Sequence, residues 1–189
     1  MRAADFAHIL QAAVHRNVTV SGMSVRLPWH RRYRMSVVAG NVHIHRLIDH
    51  EVSAGDVVVD IGAHIGYNSL YAATRVGNRG RVYAVEPAPD NLEVLAHNVR
   101  ANHASSVTVF RGAAGEAHGT RPLYLRGAAS AVNSFFPSSI YAQVTGALPV
   151  TVVPVDDLVA QTKIRLVKID VEGAELDPRC WADLPSPAS

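Results

Sequence analysis

Two acidic residues and two glycines stand where a sheet of parallel strands would present them to a ligand. Asp60 follows the apolar run VVV, the turn after it carries Gly62 and Gly66, and Glu86 ends a second apolar run, VYAV. The carboxyl ends of parallel strands meet at one edge of a sheet, so both carboxylates are expected in one crevice. The glycines carry no Cβ and would let the backbone approach a ligand closely. This chemistry suits a nucleoside with cationic groups.

The glycine spacing distinguishes two classes of nucleotide ligand. The turn reads DIGAHIG, which does not fit the G-x-G-x-x-G pattern of dinucleotide folds, and Asp60 would stand where a pyrophosphate must approach. S-adenosylmethionine fits better, and an NAD-dependent oxidoreductase is the weaker alternative. Glu86 is then placed to accept both ribose hydroxyls in a bidentate arrangement. Taken singly, each acid is equally explained as a helix cap or a turn residue.

The elements that must position these residues alternate along the chain. Short runs rich in β-branched residues, typical of strands buried on both faces of a parallel sheet, occupy 57–60, 82–86, 107–110 and 164–170. Helical patterns separate the first three runs, and the second helix carries Asp90 and Glu93 in capping-box spacing. This order predicts an α/β fold with a doubly wound, mostly parallel sheet. The stretch 115–150 is predicted to form a hairpin and loops.

The sequence of the N-terminal third predicts a small helix and hairpin cap that precedes the core domain. Phe6, Leu10 and Val14 lie on one helical stripe, and VTVSGMSVRLP predicts a hairpin around Gly22. The basic residues that follow are expected in a loop, and His43 and His45 on one face of a strand. The predicted division is an N-terminal helix and hairpin cap at 1–53, a core domain at 54–176 and an irregular tail at 177–189.

Composition narrows the functional class. The 189 residues are 48% hydrophobic with a net charge of +2, which disfavours a dedicated nucleic-acid binder. The sequence contains no run of 18 apolar residues, so no membrane span is predicted and a cytoplasmic protein is expected. Cys180 is the only cysteine, which excludes an intramolecular disulfide and a cysteine-based zinc site. The spacing of the acidic residues fixes no metal site, so no metal is predicted.

Four motifs resemble the FkbM-type methyltransferases of the class I, S-adenosylmethionine-dependent superfamily. They are VVVDIGAHIGYNSLYAA, VYAVEPAPDNLEVLAHNV, VTVVPVDDLV and LVKIDVEGAEL, and they span about Gly55 to Leu176. The resemblance implies a Rossmann-like core with S-adenosylmethionine as cofactor, and transfer to hydroxyl groups of small molecules or sugars. By this resemblance Asp60, Gly62 and Gly66 would hold the methionine end of the cofactor, Glu86 would hold the ribose, and Gly112 and Ala113 would lie near the adenine. His64 and Asn68 are further candidate cofactor-binding residues.

A catalytic base contributes less to methyl transfer than orientation of the reactants does. Methyl transfer is an in-line displacement, in which orientation supplies ~7 to 11 kcal/mol, and a general base adds ~10²- to 10⁴-fold. Asp170 and Glu172 are candidate bases, and His64 is a third; the two acids are equally explained as helix caps. The chain has DVEG where base and amide N-methylases have Asn or Asp followed by Pro-Pro-aromatic, which favours a hydroxyl acceptor.

The C-terminal segment departs from the family pattern. After GAEL, where the family continues with a helix and further strands, the chain reads DPRCWADLPSPAS. The expectation is a core that lacks its C-terminal strands, which leaves 164–170 as an exposed edge open to self-association. Turnover would then be impaired. A non-catalytic, cofactor-binding remnant or interaction module is the alternative function.

Overall fold

The computed structural model describes residues 3–27, 31–126, 135, 143–159 and 162–171. The first elements are three helices and a small hairpin: α1 (Ala3–Val14), β1 (Asn17–Val20), β2 (Met23–Arg26), α2 (Arg31–Gly40) and α3 (Val42–Glu51). Strands β1 and β2 pair antiparallel around Gly22, as predicted.

The remaining elements alternate strand and helix before a second hairpin. In chain order they are β3 (Val57–Ile61), α4 (Tyr67–Val76), β4 (Arg81–Glu86), α5 (Pro89–Ala101), β5 (Val107–Arg111), β6 (Ala113–Ala114), β7 (Gly119–Leu125), β8 (Gly146–Val153), α6 (Val155–Val159) and β9 (Leu166–Ile169).

Strands β5, β4, β3 and β9 form a parallel sheet in that order, with helices in the connections. Every residue of β3 is buried, which explains its uninterrupted apolar sequence. The predicted α/β class with a doubly wound, mostly parallel sheet is therefore confirmed. The order reverses beside β3, because the chain leaves it towards β4 on one side and returns as β9 on the other.

The stretch 115–150 contains the predicted hairpin. Strand β7 pairs antiparallel with β8, from Gly119 opposite Val152 to Leu125 opposite Gly146. The short strand β6 joins the other edge of β8 in parallel. This second sheet follows directly from β5, so it lies close to the carboxyl end of the main sheet.

Two predictions for the N-terminal third were wrong, because α2 is a helix where a loop was expected and α3 is a helix where a strand was expected. His43 and His45 consequently do not share a face: His43 is exposed, whereas His45 is buried and stacks on Tyr71 of α4 at 3.7 Å between ring centroids. Packing of the His45 face on α4 favours the helix over the two-residue alternation read from the sequence.

The start of α5 also differs from the prediction. Ala88 is the N-cap, Pro89 follows within the first turn, and no side-chain hydrogen bond caps the helix. Asp90 therefore lies in the first turn, where it can interact with the helix dipole, and does not form the predicted capping box.

The N-terminal elements share a hydrophobic core with the sheet. Val18 and Val25 of the hairpin belong to one buried cluster with Leu70 of α4 and Val58 of β3. The division into 1–53, 54–176 and 177–189 stays a prediction. In the part of the chain that the structure describes, no helix is both long and apolar enough to cross a membrane.

Candidate functional site

Asp60 lies at the centre of the site, near the carboxyl end of β3. The residue is only 2% exposed. The Ser69 hydroxyl on α4 donates to its Oδ2 at 2.6 Å, and Lys168 Nζ lies 3.1 Å from its Oδ1. Among the described residues, Oδ1 accepts no hydrogen bond of good geometry, and the Lys168 ammonium is its ion-pair partner. A buried carboxylate therefore keeps acceptor capacity at the strand end, as a cationic ligand requires.

Lys168 faces Asp60 because the two are register partners on the neighbouring strands β3 and β9. Its ammonium donates to the Gly62 carbonyl at 2.9 Å and lies 3.7 Å from Asp170 Oδ2. Burial alone would lower the pKa of Lys168, but the charges of Asp60 and then Asp170 outweigh it, and the pKa is raised. Lys168 is therefore a permanent cation between the strand ends.

The two glycines of the loop are required by the chain's own packing. Gly62 and Gly66 have φ values of 74° and 83°, in the left-handed region. A Cβ at Gly62 would collide with the Asp170 carbonyl, and one at Gly66 with the Leu95 side chain. Close approach to a ligand, the role inferred from the sequence, stays a prediction beside this structural requirement.

His64 forms the link between the loop and β4. It has a φ of 54°, and its backbone N–H donates to Glu86 Oε2 at 2.8 Å. Burial, followed by the positive charge of Lys168, lowers the pKa of the His64 imidazole from 6.5 to about 4, while Asp60 opposes the shift. The ring is therefore neutral at pH 7.

Glu86 is 4% exposed and accepts three hydrogen bonds from the described residues. Besides the His64 N–H on Oε2, the Ala88 N–H at 2.9 Å and the Asn91 amide at 3.0 Å donate to Oε1. Burial raises the pKa of Glu86, although these hydrogen bonds counteract it. Because a carboxylate offers about four lone-pair positions, Glu86 keeps about one acceptor position for a ligand.

The other predicted site residues are placed around this centre. The Asn68 side-chain amide donates to the side-chain oxygen of Asn41 at 2.7 Å. This hydrogen bond connects the start of α4 with the α2–α3 junction. The Gly112 N–H donates to the Glu86 backbone carbonyl at 3.2 Å, and Ala113 begins β6 beside it. The Asp170 side chain is 60% exposed at the end of β9. Glu172 lies outside the described residues.

The sequence interpretation missed Lys168, Ser69 and Asn91. Each holds one of the two predicted acids, and two of them were detectable in principle. Ser69 and Asn91 lie in the first turns of α4 and α5, directly after the strand ends that carry Asp60 and Glu86. Lys168 depends on the pairing of β3 with β9, which no local pattern reveals.

The residues present fit a cofactor that carries positive charge. Asp60 and Glu86 lie on neighbouring strands, and the charge of Lys168 acts on both. Among the described residues, the Lys168 ammonium at 3.1 Å is the partner of Asp60 Oδ1, which keeps a further lone pair for a ligand. Across the described ranges, no three His, Cys, Asp or Glu side chains come together as a metal site requires. The parallel sheet, with this loop at the point where its strand order reverses, defines a doubly wound α/β protein.

Comparison with known proteins gives the family. The sequence model of the Methyltransferase FkbM domain matches residues 60–177, well over half of the chain. The chain belongs to the FkbM methyltransferase family, and the prediction of S-adenosylmethionine as its cofactor is confirmed with it.

Individual relatives match shorter segments. The chain is 32% identical over 59 residues to a protein-L-isoaspartate O-methyltransferase of Methanococcoides burtonii; the match covers 31% of this chain and 29% of the relative. The chain thus spans less than a third of the length of this curated relative. It is also similar to Aeropyrum pernix fibrillarin bound to S-adenosyl-L-methionine (28% identity, 33% of this chain and 26% of that chain, TM-score 0.31). A third match is an Aquifex aeolicus SAM-dependent methyltransferase (22% identity, 38% of each chain, TM-score 0.35).

Proposed function

We propose that this protein binds S-adenosylmethionine at the loop Asp60–Gly66 and transfers its methyl group to a hydroxyl of a small molecule or sugar. The observation that carries the proposal is the pair of buried carboxylates, Asp60 and Glu86, at neighbouring strand ends around one glycine loop. When bound, the cofactor supplies a methyl group on a sulfonium, which already carries its own leaving group.

The cofactor contacts follow from the acceptor capacity of each side chain. Asp60 Oδ1, which pairs with the Lys168 ammonium at 3.1 Å, offers its other lone pair to the cationic methionine end. Glu86 Oε2 accepts one protein donor and keeps acceptor capacity for a ribose hydroxyl, and the bidentate contact to both hydroxyls stays a prediction. Gly112 and Ala113, held next to the Glu86 backbone, are placed to border the adenine.

Asp170 is the base that we propose for the acceptor hydroxyl. Its carboxylate is the most exposed of the acids around Lys168, so an acceptor could reach it from solvent. His64 is neutral at pH 7, but the low pKa of about 4 makes it a weak base, and the residue is half-buried. The curated relative is an O-methyltransferase by name, which favours oxygen as the atom methylated.

Binding of S-adenosylhomocysteine, measured by titration calorimetry on protein shown to be folded, tests the cofactor site. We expect wild type to bind and Asp60→Asn to bind at least tenfold more weakly. Asp90→Asn, which removes an exposed acid on α5, is the matched control and should bind as wild type does. Absence of binding by folded wild type at millimolar ligand contradicts the proposal.

Transfer of a labelled methyl group to panels of sugars, phenols and small alcohols tests the acceptor class. Label that appears on an oxygen supports the proposal, whereas label on nitrogen or carbon contradicts it. Cofactor binding with no transfer to any acceptor would support the alternative of a non-catalytic cofactor-binding protein.

Self-association through β9 is proposed as a separate property. Among the described strands of the main sheet, β9 is hydrogen-bonded on one side only, by β3, and its four residues are half-buried. A second copy of the chain could pair along the other side. Sedimentation of wild type and of Val167→Pro, which removes a backbone donor, tests this; an equal monomer mass for both contradicts it.

A further inference from the structure

Lys168 is the cation that joins three separate segments at the site. Its side chain is 11% exposed, and its ammonium reaches the Asp60 carboxylate of β3, the Gly62 carbonyl of the loop and the Asp170 carboxylate after β9. An ammonium has three donor hydrogens and suits a set of acceptors that lie in different directions.

We propose that Lys168 is a positioning residue of the cofactor site, whose ammonium holds the Asp60 carboxylate and the Gly62 carbonyl in the arrangement that binds the cofactor. This inference rests on the proposed function, because it concerns the same loop. Lys168 acts through Asp60 and Gly62, and it is not proposed to contact the reacting atoms.

The loop is fixed from two sides, and Lys168 supplies one of them. On the β4 side, the N–H groups of Gly62 and Ala63 both donate to the Val85 carbonyl at 3.0 Å. On the β9 side, the described contact that orients the Gly62 carbonyl is the 2.9 Å hydrogen bond from Lys168. Loss of the ammonium would free this side of the loop and leave the Asp60 charge without its cation.

The same geometry defines the opposite possibility. Lys168 Nζ lies between a backbone carbonyl and a carboxylate, two acceptors that the amino group of a bound cofactor would also seek. If the lysine competed with that amino group, its removal would tighten cofactor binding. A positioning role requires that its removal weakens binding, so the two possibilities predict changes of opposite sign.

The test compares Lys168→Met with Lys168→Arg and with Lys163→Met. Lys163 is the only other lysine and is exposed, so it is the matched control. We expect Lys168→Met to weaken S-adenosylhomocysteine binding by roughly 5- to 150-fold, the usual range for coupled sites. Lys168→Arg, which keeps the charge, should recover most of the affinity, and Lys163→Met should change nothing. Unchanged or tighter binding by Lys168→Met overturns the proposal.

A readout without cofactor separates this inference from the proposed function. Because the Lys168 charge helps to lower the pKa of His64, an NMR titration of His64 should show a higher pKa in Lys168→Met and an unchanged one in Lys163→Met. Amide exchange of the loop should be faster in Lys168→Met. If wild type fails to bind S-adenosylhomocysteine while these changes appear, the proposed function fails and the positioning role of Lys168 remains. If wild type binds and neither change appears, only the positioning role of Lys168 fails.

Lys168→Met leaves the buried Asp60 carboxylate without its cation, and this alone could prevent the variant from folding. A second variant therefore tests the same contact without the unpaired charge. The double variant Lys168→Met, Asp60→Asn removes the stranded charge and is compared with Asp60→Asn alone. Faster amide exchange at Gly62 and Ala63 in the double variant than in Asp60→Asn supports the role of the hydrogen bond from Lys168 to the Gly62 carbonyl. Equal exchange in the two variants overturns it.

Discussion

Asn98 of α5 and Asn102, the C-cap of that helix one turn later, each use the side-chain amide to bind both backbone groups of one residue of β2. Asn98 accepts from the Arg26 N–H at 2.8 Å and donates to its carbonyl at 3.1 Å. Asn102 does the same with Ser24, at 2.8 and 2.7 Å. The pair thus takes the place of a neighbouring strand along β2, and Asn98 also donates to the Ile65 carbonyl in the site loop at 2.9 Å.

Substitution of Asn98 should therefore destabilise the protein more than substitution of Asn102. Asn98 is fully buried, and Asn98→Ala leaves three backbone groups without their partner, for an expected cost of about 3 kcal/mol. Asn102→Ala, at a partly exposed position, should cost about 1 kcal/mol. Urea unfolding of both variants measures the difference. Equal unfolding midpoints would show that the hydrogen bonds of Asn98 contribute no more to stability than those of Asn102.

Gly62→Ala should be far more harmful than Gly22→Ala. Both glycines have a positive φ, of 74° and 81°, so both substitutions introduce backbone strain. A Cβ at Gly22 meets nothing within 4 Å, whereas one at Gly62 meets the Asp170 carbonyl. Gly62→Ala must therefore separate β3 from the end of β9, and we expect about 2 kcal/mol of additional destabilisation.

Thermal unfolding of the two alanine variants, with S-adenosylhomocysteine affinity measured on each, checks this expectation. Gly22→Ala should bind as wild type does, and Gly62→Ala should lose affinity. The same stability loss in both would mean that the loop can move away from Asp170 at no cost.

His64 should make the protein less stable in acid. Its folded-state pKa is lowered from 6.5 to about 4, so the unfolded chain binds the proton more readily between these values. The contribution of neutral His64 to the free energy of unfolding is fully present above pH 6.5. It is lost as the pH decreases to 4, by about 3 kcal/mol in total, since one pKa unit equals 1.36 kcal/mol. His64→Asn removes this loss, and asparagine tolerates the left-handed backbone at this position.

Denaturant unfolding of wild type and His64→Asn from pH 7.5 to 4 provides the measurement. The raised pKa of Glu86 acts in the opposite direction, but it is present in both proteins and largely cancels in the difference. Parallel stability curves for the two proteins would show that His64 is not buried in its neutral form.

Asp170→Asn should lower the rate of methyl transfer without removing cofactor binding. If the carboxylate takes the acceptor proton, kcat falls by roughly 10²- to 10⁴-fold. Affinity for S-adenosylhomocysteine should change less than about threefold, because the side chain is 60% exposed and its ammonium contact is as long as 3.7 Å. Asp157→Asn, at another exposed acid, is the control. Unchanged kcat in Asp170→Asn would exclude this residue as the base.

Local patterns predicted the central sheet well, because strands buried on both faces need long apolar, β-branched runs whatever their partners. They predicted Asp60 and Glu86 as neighbours for the same reason. Helix α3 was missed because VHIH alternates like a strand, and only its contact with α4 shows that His45 is buried and His43 is not. Lys168 was missed because its role depends on strand pairing between distant parts of the chain.

The hydrogen bond from Lys168 to the Gly62 carbonyl joins residues 106 positions apart. Contacts of such long sequence separation form slowly, since a large loop of chain must close before they are gained. The β3–β4–β5 units and the hydrogen bonds between Asn98 and Arg26, 72 positions apart, connect nearer segments and are expected to assemble earlier. Binding of S-adenosylhomocysteine should therefore be regained late in refolding, after the β3–β4–β5 units have formed.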